Sequence, residues 1–283
     1  MNFFKEENSE YKELPPNEDL QKRKEYWEVA KGLQKVDGLN TSQYLEEIIK
    51  DTVSGKYGTE VADEKIKKYY AVMDSEDPAY QSREADLVAS RITICLERED
   101  FKFSPVMLKA IHKELFADVF PYKWVGTYRT VNLSKAEDIL DGESMTDSNW
   151  ETIDEYLRYD FDQEKYAGYN VPFTGEDIRK LSRFISAIWQ THPFREGNTR
   201  TVSTFLIKYL RTMGIQADNT PFMEHAKWFR DALVRSNYAN LPRGIQPDFS
   251  YLERFFENVL LKAEHDLKSF DLRCETREQE GEQ

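Results

Sequence analysis

The sequence predicts an all-α protein with one short β-hairpin. Apolar residues recur every three or four positions through most of the 283 residues, which is the spacing of one helix face. Gly, Pro, Ser and Thr separate these periodic segments where helices begin and end. Only the segment near Thr130–Asp141 has the alternating, β-branched composition of paired strands. We therefore expect a helical bundle with a single small β element.

The composition is typical of a globular protein and narrows the range of partners. Hydrophobic residues make up 40% of the chain and aromatic residues 13%, unlike the composition of disordered chains. The net charge of −13 opposes binding to nucleic acid or to anionic membranes, because both need positive charge facing phosphate. No apolar run approaches the roughly 20 residues that span a bilayer. We therefore expect neither a nucleic-acid partner nor a membrane partner.

The cysteine content and the N-terminal residues predict a cytoplasmic protein. The chain has two cysteines, Cys95 and Cys274, which are far apart in the sequence. A disulfide framework or a cysteine metal site is therefore not expected. The first ten residues, MNFFKEENSE, lack the apolar run and the small-residue cleavage site of a secretory signal.

Residues 1–80 are predicted to form a polar arm followed by a small helical module. The arm contains Pro15-Pro16, and Thr41 or Ser42 is expected to cap the second of three helices. A polar stretch at 75–82 predicts the end of the module. The three helices are expected at about Asp19–Lys35, Ser42–Gly55 and Ala62–Met73.

Residues 81–270 are predicted to form the main helical domain, and residues 271–283 a flexible polar tail. Pro105 suits the first turn of a helix after Ser104, and Thr174 with Asp177 forms a variant of the capping box. Helices are expected at about Arg83–Glu99, from Ser104, at Ser148–Tyr159, Ile178–Trp189, Val202–Met213, Phe222–Tyr238 and Tyr251–His265.

The two most periodic helices are joined by the segment HPFREGNTR, residues 192–200. Pro193 disfavours helical backbone at the preceding residue, so the first helix must end at His192. Gly197-Asn198 can adopt the left-handed backbone of a tight turn. The next helix then begins with free N–H groups and the positive end of its dipole, which together form a site for anions.

The residue types in this joint predict phosphoryl or nucleotidyl transfer. A histidine side chain ordinarily titrates near neutral pH, so His192 is predicted to accept a proton from a hydroxyl group. Glu196 is a hard carboxylate that suits Mg²⁺, and Arg200 adds a guanidinium group for phosphate. A plain linker with a helix-end histidine is the alternative. A linker needs Gly and Asn but does not need His, Glu and Arg together, so we favour the transfer site.

The segment HPFREGNTR closely resembles the signature of the Fic/Doc family, H-P-F-x-D/E-G-N-G/K-R, and fits it at eight of nine positions. The resemblance covers roughly residues 85–262. It implies the Fic fold, a helical bundle around a central helix–loop–helix with a β-hairpin flap. It also implies transfer of AMP from ATP, with Mg²⁺, to a hydroxyl of a target protein, and it leaves a homo-oligomer open.

The same resemblance implies roles for individual residues. His192 would be the general base and Glu196 the Mg²⁺ ligand. The nucleotide-binding residues would be Phe194, Arg195, Gly197, Asn198, Thr199, Arg200 and Asn237. The flap that aligns the target backbone as an added strand would comprise Thr130, Val131, Asn132, Leu133 and Ser134.

The N-terminal module resembles the antitoxin-like helical module that accompanies many Fic proteins. The resemblance rests on the segment WEVAKGLQKVDGL and the helices that follow it. The alternative is a subdomain that serves only to pack against the main domain.

Three departures from the family pattern bear on activity. Thr199 occupies the position of Gly in AMP-transferring members and of Lys in phosphate-transferring members. Ser203 replaces a second Arg that often meets the γ-phosphate and an inhibitory glutamate, and so removes one charge-assisted bond. In the inhibitory pattern S/T-x-x-x-E-G/N, Asp37-Gly38 replaces Glu-Gly and Leu33 replaces Ser or Thr, while Thr276–Gly281 is interpreted as a chance match. We hypothesise that the usual glutamate–arginine pair does not inhibit this protein.

The leading prediction is a protein adenylyltransferase. Transfer of phosphate or another nucleotidyl group on the same fold is the second reading, prompted by Thr199. A regulatory or toxin-neutralising binding protein without catalysis is the third, supported by Thr199 and Ser203. A helical DNA-binding regulator is opposed by the net charge of −13. His112, in AIHKELF, is predicted to be a packed or a surface histidine.

Overall fold

The computed structural model describes residues 17–215, 217–268 and 272–274. These residues form eleven α-helices and no β-sheet, which confirms the all-α prediction. No helix in these ranges has both the length and the apolar composition needed to cross a bilayer. The helices are α1 Asn17–Gln34, α2 Gln43–Val53, α3 Thr59–Ala71, α4 Arg83–Glu97, α5 Pro105–Phe116, α6 Ile153–Glu164, α7 Gly175–Gln190, α8 Asn198–Thr212, α9 Thr220–Glu224, α10 Ala226–Arg235 and α11 Ser250–Leu261.

Helix starts follow the capping signals in the sequence. The hydroxyl groups of Ser42 and Ser104 each accept a backbone N–H from the first turn of the helix that follows. Pro105 occupies the first turn of α5, where its missing N–H costs nothing. Both hydrogen bonds of the capping box between Thr174 and Asp177 are present at the start of α7. Local side-chain chemistry therefore sets where the central helices begin.

Two predicted helices differ in their extent. The helix expected at Phe222–Tyr238 is divided into α9 and α10, because the backbone at His225 leaves the helical region. The helix expected from Ser148 begins only at α6, after a short 3₁₀ turn. Asn149 causes this delay, because its side chain accepts the N–H of Glu151 and so caps the 3₁₀ turn.

The predicted β-hairpin near Thr130–Asp141 does not form as paired strands. Within the described residues this segment has one isolated antiparallel bridge, between Ala136 and Ser144. The residues between them form a 3₁₀ turn, Asp138–Leu140, that buries its two apolar side chains in the core. Packing therefore competes with strand pairing. The flap predicted at Thr130–Ser134 is an irregular, largely exposed part of the loop between α5 and α6.

Helices α7 and α8 form the centre of the molecule. Helix α8 packs against α5 and α4, and α7 packs against α6 and α11. Helix α1 lies on α4 and α9, so the N-terminal helices share one continuous apolar core with the rest of the chain. The division into domains near residue 80 stays a prediction.

The end of the chain is described in part. Leu272 and Cys274 are buried, and the backbone N–H of Cys274 donates to the carbonyl oxygen of Ile139 at 2.8 Å. These apolar side chains explain why residues 272–274 dock, although the tail was predicted to fray. The rest of the predicted tail, including Thr276–Gly281, and the arm at residues 1–16 lie outside the described residues.

A buried carboxyl group links α6 to α8. Glu164 is 6% exposed and accepts hydrogen bonds from the hydroxyl groups of Tyr169, at 2.7 Å, and Tyr209, at 2.9 Å. Burial raises the pKa of Glu164 to about 7, and the two hydrogen bonds only partly oppose this shift. The folded protein therefore holds this proton more tightly than the unfolded chain does.

We expect the free energy of unfolding to fall as the pH rises from about 4.5 to about 7, and this contribution to level off above pH 7. The folded state binds more protons than the unfolded state in that window, so deprotonation favours unfolding by on the order of 2 to 3 kcal/mol. Urea unfolding at pH 5 and pH 7.5 would measure the change. The Glu164→Gln variant should show a smaller change than the wild type. The exposed Glu155→Gln variant should behave like the wild type, and three equal changes would contradict the assignment.

Candidate active site

A cleft of about 350 Å³ opens where α7 meets α8. Its walls come from the joint between these helices, from the loop between α5 and α6, from Asp37 after α1 and from Arg230 on α10. The lining residues are Asp37, Leu133, Ser134, Lys135, Glu137, Met145, Asp147, Trp189, His192, Arg195, Glu196, Gly197, Asn198, Thr199 and Arg230.

His192 lies directly after α7, as the position of Pro193 predicts. Its backbone is left-handed, with φ of +46°, and its N–H donates to the carbonyl of Trp189 at 3.0 Å. Its own carbonyl oxygen accepts a hydrogen bond from Nε of Arg129 at 2.7 Å. These contacts fix an unusual backbone for a non-glycine residue and direct the imidazole into the cleft.

The imidazole of His192 is electrically neutral at neutral pH. Burial lowers the pKa of His192 to about 3, and the cations Arg129, Arg230 and Lys135 add to the shift. A neutral imidazole has a free lone pair on one ring nitrogen. His192 is therefore in the protonation state that a general base needs.

The loop after His192 is closed by the side chain of Asn198. Its Oδ1 accepts the N–H of Phe194 at 2.9 Å, and its Nδ2 donates to the carbonyl of Phe194 at 2.8 Å. This pair of bonds fixes the turn that leads into α8. Asn198 therefore shapes the loop besides lining the cleft.

His112, on α5, supports the same loop from outside. Its Nδ1 accepts the N–H of Gly126 at 2.9 Å, so Nε2 carries the proton and donates to the carbonyl of Glu196 at 3.1 Å. The ring also stacks on Phe194 at 3.9 Å. Burial lowers the pKa of His112 to about 4. Of the two predicted alternatives, the packed histidine is the one observed.

Gly197 caps α8 with a left-handed backbone, φ +74°. A Cβ atom at this position would lie 2.2 Å from Cζ of Phe116 on α5. Backbone conformation and close packing therefore both require glycine here.

The hydroxyl of Thr199 accepts a hydrogen bond from Nε1 of Trp189 at 3.0 Å. This bond joins the last turn of α7 to the first turn of α8. A glycine here would leave the indole N–H unpaired in the core, which costs about 1 to 3 kcal/mol. The structure thus gives a packing reason for threonine at the position where the family pattern has Gly or Lys.

Glu196 is exposed to the cleft, where the carboxylates Asp37 and Glu84 and the cations Lys135 and Arg200 act on it. Burial raises the pKa of its carboxyl, and Asp37 raises it further against the opposing effects of Lys135 and Arg200. No group of three or more potential metal ligands is found in the described ranges. Mg²⁺ is commonly held by one or two carboxylates together with substrate phosphates, so Glu196 fits such an ion.

Arg200 does not line the cleft, although the sequence predicts that it binds phosphate. It is 2% exposed and donates to Glu84 at 2.8 Å and to Oε1 of Gln34 at 3.1 Å. Its Nε lies 2.9 Å from Oδ2 of Asp37, and the group packs over the ring of Phe116. The aspartate at the degenerate inhibitory position thus pairs with the signature arginine.

We expect Asp37→Ala to change the rate of any transfer reaction by less than about threefold, because Glu84 and Gln34 still hold the guanidinium of Arg200. The Asp37 side chain is 25% exposed, whereas that of Arg200 is 2% exposed and keeps its bonds to Glu84 and Gln34. Initial rates of the two proteins at saturating ATP would test this. An increase of tenfold or more would show that Asp37 restrains the site, against our hypothesis on inhibition.

The remaining predicted site residues divide into two groups. Arg195, Leu133 and Ser134 line the cleft. Phe194 is buried behind the loop, and Asn237 donates to Ser186 at 2.9 Å. The residues outside the lining of the cleft are Thr130, Val131, Asn132, Phe194, Arg200 and Asn237.

Several charged residues of the cleft were not predicted from the sequence. Arg230 binds both carboxylate oxygens of Glu137 at 2.7 Å, and Lys135 and Asp147 lie on the same wall. Arg129 is buried behind them. The sequence predicts a β-hairpin in this part of the chain, and no local pattern in the sequence shows that this loop covers the end of α7.

The chain is similar to known proteins in this region. Residues 102–210 match the model of the Fic/DOC family. The chain is 31% identical over 134 residues to a probable protein adenylyltransferase, y4lH, of Sinorhizobium fredii. It is 25% identical over 193 residues to the protein adenylyltransferase VbhT of Bartonella schoenbuchensis.

These matches cover only part of each relative. The first alignment spans 45% of this chain and 62% of y4lH, and the second spans 63% of this chain and 38% of VbhT. A Fic-domain-containing signaling protein from Bacteroides thetaiotaomicron shares the fold, with a TM-score of 0.54 and 13% identity. That structural match covers 89% of this chain and 88% of the other.

Proposed function

We propose that this chain is a protein adenylyltransferase that transfers AMP from ATP to a hydroxyl side chain of a target protein, because residues 102–210 match the model of the Fic/DOC family. One observation carries the proposal: a neutral His192 shares a cleft with the N-terminal turn of α8. Two relatives that are named protein adenylyltransferases support the choice of reaction.

His192 acts as the general base in this proposal. Nε2 takes the proton of the target hydroxyl while the hydroxyl oxygen attacks the α-phosphorus of ATP. The bond from the α-phosphorus to the bridging oxygen breaks, and pyrophosphate leaves. AMP is then esterified to the target, and the imidazolium returns its proton to solvent.

The first turn of α8 receives the phosphates. Gly197, Asn198 and Thr199 line the cleft at the point where the helix begins with unpaired N–H groups and the positive end of its dipole. Glu196 would hold Mg²⁺, which when bound supplies positive charge to the polyphosphate. Arg195 adds a cation on the same wall of the cleft.

Arg200 is retained as a phosphate-binding residue in the proposal. Its guanidinium would release Asp37 or Glu84 and bind a phosphate oxygen instead, so its positive charge would stay paired. Asp37 belongs to the N-terminal module, and for this reason we propose that the antitoxin-like module acts on the nucleotide site.

The target protein is proposed to lie along Thr130–Ser134. Leu133 and Ser134 line the cleft, and the exposed backbone of this segment can accept an extended strand of a partner. The proposed compartment is the cytoplasm, which supplies ATP and is consistent with free thiols at Cys95 and Cys274.

A second candidate function is transfer of the γ-phosphate. It is considered because Thr199 matches neither the Gly of AMP-transferring members nor the Lys of phosphate-transferring members. ATP labelled at either the α- or the γ-phosphate, with Mg²⁺ and a bacterial lysate, separates the two reactions. Label from α-labelled ATP that is lost in the His192→Ala variant supports AMP transfer. Label only from γ-labelled ATP supports the second candidate and overturns the first.

The matched control for this assay is His225→Ala, because His225 is partly exposed and lies outside the cleft. It should label proteins as the wild type does. Failure of both labels with the full-length wild-type protein would favour a binding protein without catalysis.

A further inference from the structure

Asp147 lies next to His192 on the wall of the cleft that is formed by the loop between α5 and α6. Its Oδ1 is 3.7 Å from Nδ1 of His192. The side chain of Asp147 is only 11% exposed and that of His192 is 23% exposed, so neither is a freely moving surface group.

The ring nitrogen Nδ1 of His192 is buried and makes no hydrogen bond to any described residue. A general base that uses Nε2 must carry its proton on Nδ1, and an acceptor at Nδ1 normally selects that tautomer. Asp147 is the acid that faces Nδ1. A distance of 3.7 Å exceeds that of a hydrogen bond, but such bonds are often long before substrate binds.

Arg129 holds the two segments that carry this pair. Its guanidinium donates to the carbonyl oxygen of His192 at 2.7 Å and to the carbonyl oxygen of Ser148. The N–H of Ser148 also donates to the carbonyl of Gln190 at 3.3 Å. The backbone beside Asp147 is thus tied to both ends of the His192 turn, and the fold itself sets their separation.

The charge of Asp147 suits an acceptor role at neutral pH. Burial raises the pKa of Asp147 to about 6, Arg129 opposes the shift and Glu137 adds to it. The other charged groups that line the cleft nearby are Lys135 and Arg230. Above pH 6 the carboxyl is ionised, so it can accept the Nδ1 proton.

We propose that Asp147 is the positioning residue for His192. Its carboxylate accepts a hydrogen bond from the N–H at Nδ1, which keeps Nε2 free for the target hydroxyl. It also stabilises the imidazolium that forms when Nε2 takes the proton of that hydroxyl. The inference rests on the proposed function, because it assigns His192 as the base.

Kinetics of three variants test the proposal. Asp147→Asn keeps the shape of the side chain and removes its charge, Asp147→Glu keeps the charge, and Asp138→Asn removes a charge from an exposed position of the same loop. We expect Asp147→Asn to lower kcat by at least about tenfold, with KM for ATP within about twofold. Asp147→Glu should recover part of kcat, and Asp138→Asn should match the wild type.

The pH profile gives a readout that a purely structural role would not move. The kcat of the wild type should decline below about pH 6 as Asp147 takes up a proton, and Asp147→Asn should lack this decline. An unchanged kcat in Asp147→Asn, or an equal loss in Asp147→Asn and Asp138→Asn, would overturn the proposal.

A measurement without turnover separates this inference from the proposed function. The chain has 4 histidines, so ¹⁵N NMR of labelled imidazoles can resolve His192, with His192→Ala for assignment. We expect the proton on Nδ1 in the wild type and a shift toward the other tautomer in Asp147→Asn. The same tautomer in both proteins would overturn the role of Asp147. A missing transfer reaction with the expected tautomers would refute only the proposed function.

Discussion

The His192→Ala variant is expected to lower the rate of AMP transfer by about 10² to 10⁴-fold, the usual contribution of a general base. Burial lowers the pKa of His192 and keeps its imidazole neutral, so the imidazole can act as the base for a hydroxyl in the cleft. The effect should appear in kcat, since Nε2 takes the proton only during reaction. Initial rates of label incorporation at saturating α-labelled ATP would measure it.

Two other histidines provide the comparison for this variant. His225→Ala should retain the wild-type rate. His112→Ala should lose stability, because it leaves the N–H of Gly126 without its acceptor and the loop carbonyl of Glu196 without its donor. His192→Ala should unfold at nearly the wild-type urea concentration. A His192→Ala protein that keeps a third or more of the rate would refute the role of His192 as base.

The second large effect is on stability. Gly197→Ala should lower the free energy of unfolding by about 2 to 4 kcal/mol. The left-handed backbone costs an alanine about 1 kcal/mol, and overpacking in a core typically costs a further 1 to 3 kcal/mol. The overpacking arises because the new Cβ would meet the ring of Phe116 at 2.2 Å. Urea unfolding followed by tryptophan fluorescence would measure the loss.

Gly214→Ala is the matched control at the other end of α8. Gly214 also has a left-handed backbone, with φ of +71°, but a Cβ there would meet no atom within 4 Å. Only the conformational cost of about 1 kcal/mol is expected. Equal losses in the two variants would show that contact with Phe116 contributes nothing.

Local signals were sufficient to predict most of the helices and the joint between α7 and α8. Pro193 ends one helix, Gly197 permits the turn, and the caps at Ser104 and Thr174 lie within a few residues of the helices they start. Each of these effects acts over a single turn of the chain. A single sequence therefore contains enough information to place them.

The walls of the cleft could not be predicted in the same way. Arg200 was expected to face phosphate, but its partners Glu84 and Gln34 are 116 and 166 residues away in the sequence. Asp147 likewise comes to His192 only through packing of the loop between α5 and α6. The signature identifies the chemical groups of the site, whereas long-range packing decides which of them are free.

Arg129 gives this site a particular mode of opening. Its guanidinium donates to carbonyl oxygens of Val131, Ser148 and His192, so it joins the exposed loop, the segment after Asp147 and the turn of the base. Displacement of Arg129 itself would break all three connections at once, so the three segments are expected to lose order together when this side chain moves. When Arg129 leaves its position, the segment that is proposed to bind the target and the turn that holds His192 are therefore released together.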